Sequence, residues 1–505
     1  MSITCHDVPV RPAHPLPELW LRGVAANPAA PTDVLLRLLD PAARDVWPVL
    51  CEQRALPADF VEAALVHHDR AVRRAVARNR HVPVAQRGRL VHDPDSLVRC
   101  ALAAGPRPQL GDVEPLPDDV LVTFLTALND DPNRLVTAQE IRDDLQFSGQ
   151  IPQAFLRRLP EHQAPELRIH ATRYWLWLTP EQREALLTDP DPEVRQAAHG
   201  NSRVLDPDAM AADLGEPNSH HRSLLLTSYA VAPAVAERCL AEGRDLWALA
   251  HNPYTPAQAV SRLAHSPDPK VRERVAARAD LSSELLAELA GDPDSTVRSR
   301  AHLQGLPRTW PQRNAIDRII GRSAERLGYL GEAIVEPDTS WFEACARSGH
   351  PLLRRVAATF HRLPEDHVAR LSEDEDEGVR ILLACNHPLA PPHLVLNAFL
   401  AAPPQRAYLR TLPRLPRTGL AHLLGHADPE VRALAAADQT LPEPPLALLA
   451  DGDERVRREA AANPLLPHDL LEDLLDRAET AEGAAANPAQ PAPRLHELLD
   501  RSGLP

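Results

Sequence analysis

Eight times along the 505-residue chain an aspartate stands four residues before an arginine, with valine directly before the arginine. The pairs are Asp69–Arg73, Asp95–Arg99, Asp191–Arg195, Asp268–Arg272, Asp294–Arg298, Asp376–Arg380, Asp428–Arg432 and Asp453–Arg457. A carboxylate and a guanidinium at this spacing suit two chemistries, acid–base catalysis and the clamping of phosphate. An active site is ordinarily made once, whereas eight equivalent copies point to a structural part. The aspartate then reads as a helix N-cap contributing about 1 kcal/mol. An exposed i,i+4 Asp–Arg pair contributes only about 0.3–0.5 kcal/mol. That is too little to explain so regular an arginine, so each guanidinium is expected to reach the neighbouring repeat, bonding its Asp or its helix-end carbonyls.

The elements that must position these pairs follow from the flanking residues. Proline follows the aspartate in the DPEVR and DPKVR copies, as expected for a cap with Pro at the first helical position. From the valine, apolar residues recur at i, i+3 and i+4, as in Val72, Ala75 and Val76 or Val379, Leu382 and Leu383, so one helix face is buried. Asn79, Asn201, Asn386 and Asn463, with Gly105 in the corresponding place, stand seven residues past the valine and are expected to end the helix in the left-handed conformation. A second, shorter helix follows each, marked by Pro-x-x-apolar-apolar at Pro31, Pro57, Pro256 and Pro467. Proline-to-proline steps of 26, 25 and 24 residues set the period. Units this short cannot bury their own faces and must stack.

Phrases such as AANPAAPTDVLLRLL, AHNPYTPAQAVSRLAHSPDPKVRERVAAR and DGDERVRREAAANPLLPHDLLEDLL resemble the leucine-rich-repeat variant family of bacterial proteins, itself similar to HEAT and armadillo arrays. The resemblance covers roughly three-fifths of the chain. It implies an all-α, right-handed solenoid of about eighteen two-helix repeats, each of 24–27 residues, in which the second helix is often 3₁₀. The family's founding type carries an N-terminal cysteine-rich iron–sulfur module. Here only Cys5 and Cys51 lie near the N-terminus, and no cluster is carried over. The motif divides one continuous solenoid into repeats over 1–110, degenerate aromatic-rich repeats over 111–185, central repeats over 186–304, degenerate repeats over 305–345 and C-terminal repeats over 346–505.

Other candidate chemistry is sparse. The six cysteines lack any CxxC-like spacing, and the 23 histidines include doublets at His67–His68 and His220–His221 but no HExxH motif, so neither metal nor cofactor is expected. Cys100 and Cys385 stand beside alanine in the first helix and read as small core thiols. Gly-rich phosphate loops and GxSxG are absent, and the chain is read as no enzyme. Where the motif fades, Tyr174, Trp175, Trp177 and Phe147 gather; they are either the core of a degenerate repeat or exposed anchors for a partner.

Composition limits the partners. Aromatics are 4% of the chain against 44% apolar residues, suiting closely packed helices of Leu, Ala and Val. The net charge of −15 argues against nucleic acid or anionic membrane, although all but Lys270 of the 55 basic residues are arginine. No apolar run is long enough to cross a bilayer, and a bacterial cytoplasmic location is the expectation. The reading is a non-catalytic scaffold for an unidentified protein partner, of unknown oligomeric state. The alternative is a nucleic-acid-binding or DNA-repair protein like the HEAT-like DNA glycosylases, with the arginine row on phosphates.

Overall fold

The computed structural model describes residues 15–106, 113–127, 135–217, 219–303 and 339–505, together with Ile316 and Ile319. The described residues form short helices and no strand. Each of the eight motif aspartates caps a helix, accepting a backbone N–H two or three residues ahead: Asp69 from Ala71, Asp268 from Lys270 and Asp376 from Val379 are examples. Pro31, Pro57, Pro256 and Pro467 sit directly before the second helices Thr32–Arg37, Ala58–Leu65, Ala257–Leu263 and His468–Leu475, as the spacing predicts.

The chain divides into two compact units, Met1–Gln150 with Arg410–Pro505, and Ile151–Leu409. In the second unit, first helices stack on the next of their kind: Pro165–Thr172 on Pro192–Ser202, Leu246–His251 on Pro269–Ala276 and then Ser295–His302, and Pro351–Ala358 on Glu377–Asn386. A continuous apolar core runs from Met210 to Ala301, filled by Val, Leu and Ala from both helix types. The expected degenerate repeats over 305–345 fall mostly outside the described residues.

In the first unit the stack passes through both ends of the chain. Pro429–Ala436 packs on Glu454–Ala461, that helix on Ala481–Ala486, and Ala481–Ala486 on Leu16–Ala26. Beyond the Pro48–Gln53 turn follow Arg70–Ala77, Ser96–Ala104 and Ala138–Phe147. Small residues permit the close approach. A Cβ on Gly483 would meet Arg458 O at 2.2 Å, and one on Gly23 would meet Glu482 O at 2.3 Å.

The asparagines at the ends of first helices do not take the left-handed conformation expected of them. Of that set only Gly105 has positive φ, 75°. Asn201 and Asn386 are still helical, in Pro192–Ser202 and Glu377–Asn386. Asn79 and Asn463 use their side-chain amides instead, donating to two helix-end carbonyls of the preceding repeat. Asn79 reaches Cys51 O and Arg54 O at 2.8 and 2.9 Å, and Asn463 reaches Ala436 O and Asp438 O at 2.8 Å each. Buried carbonyls left over at helix C-termini need such donors. Asn252 does the same for Leu226 O and Tyr229 O, and Arg278 replaces the amide with its guanidinium on Ala250 O and Asn252 O. The ladder is unbroken across the chain ends: Asn487 donates to Ala461 O and Asn463 O, Asn27 to Ala485 O and Asn487 O, and Arg54 to Ala25 O and Asn27 O.

Candidate interaction surface

Three of the eight motif arginines, Arg73, Arg272 and Arg432, reach the next repeat, as do Arg168 and Arg354 at the equivalent place in helices without the motif. In five places among the described residues a guanidinium that is also anchored to its own turn forks onto an aspartate 19–21 residues ahead, through Nε and Nη2: Arg73 on Asp93, Arg168 on Asp189, Arg272 on Asp292, Arg354 on Asp374 and Arg432 on Asp451; Arg355 forks in the same way, without that anchor, onto the cap Asp376. The Nε to carboxylate distances run from 2.6 to 2.9 Å. Nη1 turns back to the carbonyls five and six residues earlier, as in Arg272 to Ser266 O at 2.8 Å and Pro267 O at 3.3 Å. One planar fork thus closes its own turn and ties two repeats.

The accepting aspartate is a residue that the motif missed. It stands two positions before the cap, and its own Oδ1 accepts the cap residue's N–H, as in Asp292 from Asp294 at 2.8 Å. The signal was present as Asp-x-Asp at 93–95, 189–191, 292–294, 374–376 and 451–453, each about twenty residues after an arginine. Where the turn receives no fork, other acceptors take its place: His67, His426 and Ser266 accept the N–H of Asp69, Asp428 and Asp268. His67 therefore belongs to a turn; its burial lowers its basicity. The guanidiniums hold the Asp189, Asp292 and Asp451 carboxyls below the usual carboxylate range.

Cys51, Cys239, Cys345 and Cys385 are buried. Desolvation pushes the Cys51 thiol up to about 12 and that of Cys100 to about 11. Cys100 is half-buried rather than core, and its Sγ donates to Asp144 Oδ2 at 3.0 Å. Cys5 lies outside the described residues. Among the described residues no three His, Cys, Asp or Glu side chains converge as a metal site would require.

The aromatic candidates separate. Trp175 is 4% exposed and packs with Leu178, Leu186, Val194 and Ala198. Tyr174 is also buried, its ring edge-on to His170. Of the two readings left open by the sequence, Tyr174 and Trp175 take the core one, while the Trp175–Trp177 3₁₀ turn leaves Trp177 open, at 43% exposure, tilted against Tyr174. Phe147 ends the helix Ala138–Phe147 in the other unit and is 63% exposed.

A more informative aromatic was not singled out from the sequence. Trp247 is 47% exposed, its indole stacked parallel on His251 at 5.8 Å, with the Arg274 guanidinium 5.7 Å from the indole ring centre. It stands five residues before the ladder residue. That position carries Arg22, Arg74, Glu273, Arg458 and Glu482 in other repeats, so packing does not require an aromatic there. An indole at a position that is charged in five other repeats, and aliphatic at Val49 and Leu382, was the legible signal.

No protein-family model matches the chain, and no curated protein is significantly similar to it. No helix among the described residues is long and apolar enough to cross a membrane.

Proposed function

We propose that the chain is an α-solenoid of leucine-rich-repeat-variant or HEAT-like type, of about eighteen short repeats, and that it acts as a non-catalytic scaffold for a protein partner in a bacterial cytoplasm. The observation that carries this reading is the exposed Trp247, braced by His251 and Arg274. Tryptophan and arginine held rigid on a surface are the residue types that concentrate binding energy in protein interfaces. Trp177 and Leu176 supply a second exposed apolar point in the same unit. The nucleic-acid reading loses part of its support, because Arg73, Arg272 and Arg432 of the arginine row, together with Arg168 and Arg354, are forked onto aspartates. A guanidinium so engaged presents little charge to a phosphate.

The test places a photoreactive phenylalanine analogue at position 247 of the full chain, in extract of the producing cells at about 150 mM salt. One polypeptide should be crosslinked and identified, and unlabelled wild type should compete while Trp247→Ala competes at least tenfold less well. Loss of the crosslink on nuclease treatment would return the reading to nucleic acid.

A further inference from the structure

The five forks define a slot: a guanidinium anchored by Nη1 to its own turn, with Nε and Nη2 presented to a carboxylate from the following repeat. Arg457 has the anchor, its Nη1 donating to Asp451 O at 2.6 Å. Its Nε is buried and has no hydrogen-bond partner. In each of the five forks an aspartate oxygen meets this atom. The following turn, Asp476–Thr480, has no Asp-x-Asp, and the place is open as a cleft of about 450 Å³. Arg477 lines it beside Arg457, and Leu449, Leu470 and Leu474 form its apolar wall. The acids at its edge are Asp451, which Arg432 already holds bidentately, and Glu479, exposed at the rim.

We propose that this cleft binds a carboxylate supplied from outside the chain, the side chain or terminus of an acidic peptide or a free small organic acid, in the position the rung aspartate fills elsewhere. A buried donor without a partner has lost its hydration without replacement, so an anion of the right geometry gains more here than at an exposed arginine. The fork geometry selects a planar carboxylate, and the leucine wall favours one carried on an apolar stem.

The probes are a fluorescein-labelled peptide LLTDPDPEV, copied from residues 186–194, succinate and inorganic phosphate, titrated against the full chain by fluorescence polarisation and by competition. Saturable binding of the peptide or of succinate, weakened at least tenfold by Arg457→Ala and retained in Glu479→Gln, is the expected result. Arg457→Ala also removes the turn anchor, so a second variant keeps the test decisive. Arg477→Asp, which offers an internal carboxylate to the slot, should abolish ligand binding while leaving the melting temperature unchanged or higher. Binding of succinate but not peptide assigns the slot to free acids, and the converse to peptides; both support it. Phosphate binding more tightly than either carboxylate, unaltered binding in both Arg457→Ala and Arg477→Asp, or no saturation by any probe up to about 10 mM overturns it.

Discussion

At the scale of single residues the arginine fork does three tasks with one planar group: it closes a turn, bridges two repeats and neutralises a nearly buried carboxylate. Arg272 and Asp292 show this with side-chain exposures of 14% and 7%. Removing the acid leaves a guanidinium without its counter-charge, so Asp292→Ala should cost roughly 2–3 kcal/mol at pH 7. Because Arg272 lowers the Asp292 carboxyl below its ordinary value, the fork stabilises fully above the unfolded carboxylate pKa of about 3.9. It fades as pH falls through the lower folded value. Urea unfolding of wild type and Asp292→Ala should therefore differ by a constant amount from pH 7 to about pH 5 and converge below about pH 4. A gap that persists at pH 2.5 would assign the effect to packing and not to charge.

At the scale of elements, helix termini set the repeat as much as the helix faces do. Each motif helix starts on an aspartate, and several first helices end on a side-chain donor that reaches back to the carbonyls of the helix before it. Amide, guanidinium and histidine serve alike, as Asn463, Arg278 and His387 show. The helices approach so closely that glycine is required where backbone meets backbone. Gly483→Ala puts a methyl 2.2 Å from Arg458 O, an atom fixed in the facing helix. Overpacking of this kind costs about 1–3 kcal/mol or more. Gly452→Ala, with nothing within 4 Å, should change little, and thermal melts of the two variants side by side test whether contact is the cause.

At the scale of the whole molecule, the first described helix is the neighbour of the last first-type helix. Besides the Asn27 rung, Trp20 Nε1 donates to Leu475 O at 2.8 Å, Ser502 Oγ to Pro17 O at 3.3 Å, and Arg37 to Asp500 and to the carbonyls of Leu504 and Pro505. Leu16–Ala26 and Ala481–Ala486 cover one another. A circular permutant that joins 505 to 15 through a short Gly-Ser linker and opens at the exposed Gly243–Arg244 turn should keep the helical circular dichroism and a melting temperature within a few degrees of wild type. Unfolding of that permutant, or association growing with concentration in the wild type during sedimentation, would show that the junction forms between copies and not within one.

The sequence by itself determined what depends on neighbours along the chain: all eight aspartate caps, the prolines before the second helices, the apolar faces, and the absence of strands among the described residues. These are local, because a cap needs only the next three residues and a helix face only a period of 3.6. It also required a second partner for the arginine, since a weak i,i+4 pair could not explain the repetition. Which atom that partner was, only tertiary structure decided, because the Asp-x-Asp acceptor is about twenty residues away and meets the fork only when two repeats stack. The same holds for the asparagines, whose conformation near a helix end looks like a matter of backbone preference until the preceding repeat presents two carbonyls. Trp175 and Trp177 are alike in the sequence and differ by which side of a three-residue turn faces Leu186 and Val194. The union of the chain's two ends was the least legible of all, since no periodicity within a sequence states that its last repeat precedes its first.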